Sequence, residues 1–223
     1  TLRWGTCLQR SSVNVLPQMR LKMSGLLGFI KIERQILHFK QSIQLLKTNL
    51  EELNYQFHTH GPHPYEVIME PDPLLPEKIS YLERKIGPIP LVLKCFYKHI
   101  GGVNFQGFHP DWEEIYADAL WIESIDAAIV EWEECQDIEE QENIFYYPIA
   151  PDWLHKENVS GGMFYHIEFP TSAVNPIIIM DQVSMTFLDY LTFSLKWGGF
   201  PGLADTPSHN WPLETIKKGL KEP

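Results

Sequence analysis

The chain has 223 residues, a length that suits one domain carrying an additional element. Hydrophobic residues make up 44% and charged residues 21%, which argues against intrinsic disorder because this much apolar surface is sufficient for a packed core. The net charge of −11 disfavours nucleic-acid binding, and no apolar run is long enough to predict a membrane-spanning helix. We therefore expect a globular protein that binds neither nucleic acid nor membrane.

The N-terminal region is basic, since no acidic residue precedes Glu33. This composition predicts either a weak transit peptide or a flexible leader over residues 1–23, with Met23 as the initiator, and we favour the leader. The three cysteines, Cys7, Cys95 and Cys135, lie far apart and lack the spacing of a metal or disulfide site. They predict reduced thiols and a cytoplasmic location.

Residues 24–57 have the apolar spacing of a long amphipathic helix. Apolar residues recur at alternating intervals of three and four, as in a heptad seam, at Phe29, Ile32, Ile36, Phe39, Ile43, Leu46, Leu50, Leu53 and Phe57. Ser24 is the predicted N-cap, and the prolines after Phe57 predict the end. This seam can dimerise or dock along the domain. Aromatic Phe29 and Phe39 fit a regular dimer poorly and therefore favour docking and a monomer.

The rest of the chain predicts alternating short elements after a proline-rich loop over residues 58–76. The predicted helices are 77–86, 91–99, 124–134 and 185–197, and the predicted strands are 103–105, 120–123, 145–149, 164–169 and 176–181. Gly101 and Gly102 are expected to close the second helix with positive φ. Strands joined mostly by short turns predict an α+β fold, with a mixed or antiparallel sheet of about five to six strands covered by helices. Residues 204–223 form a predicted tail.

Charge is segregated along the sequence. Residues 1–50 hold eight Lys and Arg against one acid, whereas residues 99–155 hold fourteen Asp and Glu and no Lys or Arg. The acidic segment predicts either a solvated helix face or a surface that steers a basic partner. The candidate partner-binding carboxylates are Asp111, Glu133, Glu134, Glu139 and Glu140, with Trp112 as an aromatic anchor beside Asp111.

A second candidate site is the loop that contains Asp152, Trp153, His155 and Lys156. It follows a predicted strand and precedes Gly161 and Gly162, and loops carried on a rigid sheet often hold functional residues. The loop has three interpretations: a turn in which Asp152 caps a helical segment, a contact surface for a partner, or a catalytic site. We assign these four residues to partner binding and name no catalytic residue.

Metal and cofactor sites are not expected. His58, His60 and His63 lie close together and can ligate a metal with His109, but the intervening prolines are typical of a polar linker. Glu131, Glu134 and Asp137 form an acidic helix face that lacks the convergent loop oxygens that hard cations require. No phosphate-binding glycine loop or hydrolase motif is present in the sequence.

Several segments carry a family resemblance. Residues 79–102, Ile-Ser-Tyr-Leu-Glu-Arg-Lys-Ile-Gly-Pro-Ile-Pro-Leu-Val-Leu-Lys-Cys-Phe-Tyr-Lys-His-Ile-Gly-Gly, resemble the opening of the SUKH superfamily, as do Ser-Gly-Gly-Met-Phe-Tyr-His-Ile at 160–167 and Phe-Leu-Asp-Tyr-Leu at 187–191. The resemblance spans about residues 74–203. The chain is also similar to uncharacterised bacterial proteins with Gly-Gly-Val, His-Pro-Asp-Trp and Trp-Gly-Gly-Phe-Pro-Gly, present at 101–103, 109–112 and 197–202.

This resemblance implies an α+β domain over residues 77–203, no cofactor, and a role such as neutralising a bacterial toxin or scaffolding a cell-wall regulator. We therefore expect a non-catalytic protein-binding domain, possibly immunity-type, whose acidic surface meets a basic partner such as a toxin domain. Two alternatives are an enzyme that uses Asp152, His155 and Lys156, and a structural dimer formed through the heptad seam.

Overall fold

The computed structural model describes residues 15–58, 66–112, 117–135, 144–157, 159, 161–181, 183–205 and 210–221, with side chains from residue 27 onward. It confirms the α+β class. The helices are α1 (Val15–Glu52), α2 (Leu75–Ile86), α3 (Leu91–His99), α4 (Ile125–Cys135), α5 (Trp153–Lys156), α6 (Phe187–Lys196) and α7 (Leu213–Ile216). The strands are β1 (Gln56–Phe57), β2 (Ile68–Met69), β3 (Gly102–Asn104), β4 (Gly107–Phe108), β5 (Trp121–Ile122), β6 (Phe145–Ala150), β7 (Tyr165–Phe169), β8 (Ile177–Ile179) and β9 (Ser184–Thr186).

The described strands pair antiparallel in three sheets. β1 pairs with β4, β3 lies between β2 and β5, and the largest sheet has the order β6-β7-β8-β9. The second and third sheets meet where the backbone N–H of Glu123 donates to the carbonyl of Ile149 at 2.7 Å. This hydrogen bond fixes the end of β5 beside β6 and so places Glu123 next to the larger sheet.

All five predicted strands are present, with ends that differ by one or two residues. β1, β2, β4 and β9 were not predicted: β1 lies within the predicted long helix, β2 within the predicted proline-rich loop, and β9 overlaps the predicted terminal helix. The predicted terminal helix began within β9, whereas α6 begins at Phe187. Its start is set by Thr186, whose Oγ1 accepts a hydrogen bond from the Asp189 N–H at 3.3 Å and caps the helix.

The long helix is docked within the chain, as its seam predicted. The seam residues Ile32, Ile36, Phe39, Ile43, Leu46 and Leu50 are buried, while Phe29, Leu53 and Phe57 are partly buried against the same core. α1 packs mainly on α3 and also on α6 and α7. One buried pair is Phe39 with Phe96 of α3, whose ring centres are 6.4 Å apart. The apolar face is therefore covered by the rest of the domain.

The ends of α1 differ from the prediction. The helix begins at Val15, so Ser24 lies inside it and is not its N-cap. It ends at Glu52, before the prolines, because Asn54 adopts a left-handed conformation with φ of 63°. The Tyr55 N–H then reaches back to the Leu50 carbonyl at 2.9 Å, and Asn54 N–H to Glu51 at 3.0 Å. These two bonds form a Schellman motif, in which asparagine takes the place usual for glycine.

The prediction of positive φ at Gly101 and Gly102 is wrong, since neither is among the residues with positive φ. These glycines are required by close packing of β3 on the preceding strand. A Cβ atom on Gly101 would lie 2.1 Å from the carbonyl oxygen of Glu70, and one on Gly102 would lie 2.7 Å from the sulfur of Met69. Only a residue without a side chain lets the two strands approach this closely.

Much of the predicted tail is packed. Trp211 and Ile216 are buried, and the Trp211 ring lies 4.3 Å from that of Phe200. The side-chain amide of Asn49 in α1 donates to the carbonyls of Ile216, at 2.7 Å, and Lys218, at 3.0 Å. The described part of the C-terminal segment therefore belongs to the same core as α1.

Docking of α1 is testable by placing a charge in its seam. We expect Ile43→Asp to lower the free energy of unfolding by roughly 3–5 kcal/mol, because an uncompensated carboxylate enters an apolar contact. The matched variant Ile30→Asp, at an exposed position of the same helix, changes stability by less than about 0.5 kcal/mol. We expect wild type to sediment as a monomer. A wild-type melting temperature that rises with protein concentration, together with a stable monomeric Ile43→Asp variant, would show a dimeric seam instead.

Candidate functional site

The loop after β6 is organised by the buried carboxylate of Asp152. This residue caps α5, accepting hydrogen bonds from the backbone N–H groups of Leu154 at 2.9 Å and His155 at 3.3 Å. A second oxygen of the carboxylate bonds Nδ1 of His155. Gly162 lies against Asp152 so closely that a Cβ would meet its carboxyl group within 2.4 Å. The turn is thus built around Asp152, and His155 is held by it.

Lys156 is buried and serves to anchor α5. Its Nζ donates to Asp118 Oδ1 at 2.6 Å and lies 4.8 Å from the ring centre of Tyr165. The hydroxyl of Tyr165 donates to the other oxygen of Asp118 at 3.3 Å. Burial, and next the nearby Asp118 charge, raise the pKa of the Tyr165 hydroxyl, so it remains a donor. Lys156 is therefore committed to an internal ion pair.

The four loop residues predicted to contact a partner thus differ in exposure. Asp152 and Lys156 are buried, Trp153 is partly buried, and the side chain of His155 is 47% exposed. His155 is the member of this group whose side chain is available to a ligand. Asp152 and Lys156 instead fix the position of α5.

His155 lines a cleft of about 810 Å³ between α4, β6 and the segment before β7. Its other walls are mainly apolar, formed by Trp121, Val130 and Phe164, with carboxylates of Glu123 and Glu131 among them. Ligand pockets in proteins commonly have this size and a few polar groups on an apolar lining. The cleft is therefore the main candidate site among the described residues.

Glu123 is the unusual polar group of the cleft. It follows β5 directly, and the Trp121 side chain donates a hydrogen bond to its carboxyl group. Burial raises the pKa of Glu123, although the Trp121 hydrogen bond and the charge of Lys156 lower it in part. A carboxylate with this environment is incompletely stabilised in its ionised form. Sequence reasoning did not single out Glu123. The feature that could have indicated it is an ionisable residue at the end of an apolar strand, but its burial depends on the contact of β5 with β6.

α4 forms the acidic rim of the cleft. Glu131 lines the cleft, and Glu134 is exposed one turn after it, whereas Glu133 is exposed on the side of α4 that faces α2. Tyr81 donates its hydroxyl to Glu133 at 3.2 Å, and Cys135 donates its thiol to Glu131 at 3.3 Å. Burial, followed by the bond to Glu131, raises the pKa of the Cys135 thiol to about 11. Among the described side chains, no cation pairs with these three glutamates.

Of the remaining predicted residues, His58 lines this cleft, and the others lie apart from it or outside the described residues. Trp112 is partly buried in an aromatic cluster, where its ring lies 4.1 Å from His109 and 4.8 Å from Trp211. Asp111 is exposed, and its carbonyl accepts a hydrogen bond from the Asn210 side chain. Glu139 and Glu140 lie outside the described residues, as do His60, His63 and Asp137 of the metal hypotheses. Within the part of the chain that is described, no group of His, Cys, Asp or Glu has metal-binding geometry.

The anchor of α5 is testable by removing one member of its ion pair. We expect Lys156→Met to lower the free energy of unfolding by roughly 3–5 kcal/mol, because Asp118 is left with an uncompensated buried charge. The double variant with Asp118→Asn recovers much of this loss, since no charge remains and asparagine tolerates the left-handed backbone at position 118. Urea unfolding measures the stability of the single and of the double variant. Equal stability of wild type and Lys156→Met would show that the pair does not hold the loop.

Comparison of the chain with protein-family models, with curated proteins and with solved structures gave no match. The SUKH resemblance therefore stays a prediction. Among the described residues, no helix combines the length and the apolar character that crossing a membrane requires. The cleft and its acidic rim are the observations from which a function can be argued.

Proposed function

We propose that this chain is a non-catalytic protein-binding domain that accepts a basic segment of a partner on α4 and in the adjoining cleft. The observation that supports this proposal is the last part of α4, where Glu131, Glu133 and Glu134 have no cation partner among the described residues. Exposed Val130 lies beside them and continues into the apolar cleft. The surface thus combines negative charge with apolar area.

The spacing of these carboxylates is unfavourable in the free protein. Glu131 and Glu134 are three residues apart, a spacing at which like charges on a helix repel by about 0.2–0.5 kcal/mol. A bound cationic partner relieves this repulsion, which is why we favour a binding role.

Other acidic residues of the same segment are neutralised within the fold. Asp126 pairs with Lys78 at 2.6 Å, and Asp118 pairs with Lys156 at 2.6 Å. Among the described acidic residues of this segment, the carboxylates without an ion pair include those of the α4 glutamates, of Glu123 in the cleft and of exposed Asp111. This distribution fits a basic protein as partner and repels nucleic acid.

The SUKH resemblance is compatible with this role and extends it to an immunity-type protein that neutralises a basic toxin domain. Cys95 and Cys135 are free thiols, which supports the proposal of a reducing, cytoplasmic setting. A docked α1 supports action as a monomer.

The binding proposal makes opposite predictions for stability and for affinity. We expect Glu134→Lys to raise the free energy of unfolding by about 0.5 kcal/mol at low salt, because it replaces the like-charge pair with Glu131 by an opposite-charge pair at the same spacing on the helix. The same change slows association with basic peptides selected from a displayed random library, and added salt slows wild-type association. Glu168→Lys, at an exposed site on β7, is the matched control and changes neither property substantially.

Urea unfolding and surface plasmon resonance measure the two effects. Selection of peptides with no excess of Lys and Arg would contradict the proposal. So would association rates that respond neither to salt nor to Glu134→Lys.

A second candidate function is general acid–base catalysis in the same cleft. The specific observation is that buried Asp152 binds Nδ1 of His155, which orients the ring and leaves Nε2 available as a proton acceptor. Glu123, whose pKa is raised by burial, lines the cleft as a potential proton donor. Carboxyl and imidazole groups with distinct environments are a common acid–base pair.

This candidate is tested with wild type and His155→Gln against ester, phosphoester and glycoside substrates. Catalysis predicts turnover that falls by about 100-fold or more in His155→Gln and is retained in His38→Gln, a change on α1. Turnover that is absent, or equal in all three proteins, would reject an acid–base role for His155.

A further inference from the structure

We propose that the cleft is a pocket for an arginine side chain of the partner, in which the Glu123 carboxylate binds the guanidinium group. This inference rests on the proposed protein-binding function and names the chemical group of the partner that the cleft recognises.

The lining of the cleft suits a long side chain with a cationic end. Trp121, Val130 and Phe164 supply apolar walls, and Glu123 supplies a carboxylate between them. The two parts of an arginine side chain match this lining, because its three methylene groups pack on apolar surface while its guanidinium group requires hydrogen-bond acceptors. The volume of about 810 Å³ leaves room for the residues that flank the arginine in a peptide.

The charges of the cleft exclude other classes of ligand. Glu123 and Glu131 both line it, and among the described lining residues there is no Lys or Arg. An anionic ligand is therefore repelled. A neutral apolar ligand would remove water from Glu123 without providing an opposite charge, which is costly for a carboxylate. A cation removes this cost, since it compensates the buried charge directly.

The neighbouring groups of the protein leave the Glu123 carboxylate available to a guanidinium group. Lys156 is close enough to Glu123 to lower its pKa, but its Nζ is bound to Asp118. The Trp121 side chain donates one hydrogen bond to the Glu123 carboxyl group, and a carboxylate accepts several. Burial raises the pKa of Glu123 because loss of water disfavours its ionised form, and a bound cation would offset that cost.

Arginine fits better than lysine because of the aromatic walls. A guanidinium group is planar, stacks on aromatic faces and binds a carboxylate through two parallel N–H groups. Trp121, Phe164 and the His155 ring all line the cleft. An ammonium group is more strongly hydrated and gains less from such walls.

The experiment uses the full chain, labelled with ¹⁵N and titrated with the peptide N-acetyl-Gly-Arg-Gly-amide. The readout is the indole N–H resonance of Trp121, the residue that donates to Glu123, assigned with a Trp121→Phe variant. The control peptide carries citrulline, which keeps the shape of arginine and lacks its charge. A third peptide carries lysine.

We expect the arginine peptide to shift the Trp121 resonance saturably. The citrulline peptide binds more weakly by roughly tenfold or more, and so does the arginine peptide to Glu123→Gln, because each change removes a charge-assisted hydrogen bond. Glu168→Gln, outside the cleft, binds as wild type does. The indole resonances of the other tryptophans report whether Glu123→Gln retains the fold.

Three results would overturn the pocket: no saturable shift, equal affinity for arginine and citrulline, or equal affinity of wild type and a folded Glu123→Gln variant. Equal affinity for lysine would overturn the preference for arginine. The proposed binding function is tested independently of the arginine pocket. If library peptides remain basic and sensitive to Glu134→Lys yet bind Glu123→Gln normally, the pocket is wrong and the acidic binding surface stands.

Discussion

Burial of the α1 seam against α3 is the contact on which the arrangement of the other elements depends. Ile36, Ile43 and Phe39 close the core from one side, and Phe96 of α3 fills it from the other. α3 leads directly into β3, which pairs with β5, and β5 is followed directly by Glu123, which lines the cleft. A helix remote from the cleft in the sequence therefore fixes the strand that presents Glu123. Fully buried side chains pack at near-crystalline density, so this connection has little freedom to adjust.

Charged groups serve two different purposes in this fold. Lys156 and Asp118 neutralise each other inside the core and hold α5 against β7. Such a pair contributes little net stability compared with apolar packing, but leaving either partner alone is costly, so it specifies one position for the loop. The glutamates of α4 have no such compensation among the described residues, and Glu131 and Glu134 repel each other along the helix. The first arrangement positions the cleft, and the second supplies the charge that we propose a partner meets.

Sequence patterns predicted what depends on local periodicity. The seam of α1, the helix α3 and the five predicted strands follow from local spacing, and their ends were correct to within a few positions except in α1. The end of α1 depends on a single residue, Asn54, whose left-handed conformation no periodic pattern encodes. The strands β1, β2 and β4 were missed because pairing with distant segments, and not their own composition, makes them strands.

The candidate site was predicted only in part for the same reason. Asp152 and His155 lie within one turn, so their association could be inferred from the sequence. Lys156 was expected to contact a partner, but in the structure it forms a buried ion pair with Asp118. The two residues are 38 positions apart in the sequence, so only the tertiary fold brings them together. Glu123 gained its importance from a hydrogen bond between two sheets. Burial, which decides the chemistry of an ionisable side chain, is a property of the assembled fold.

The amide of Asn49 joins the last turns of α1 to the segment after α7, since it binds the carbonyls of both Ile216 and Lys218. Those carbonyls lie at the end of a helix of four residues, which has too few internal hydrogen bonds to persist alone. α7 is thus ordered by α1, and the segment after it brings Gly219 against Leu45 of α1. We therefore expect the two segments, far apart in the sequence, to open to solvent as one cooperative unit.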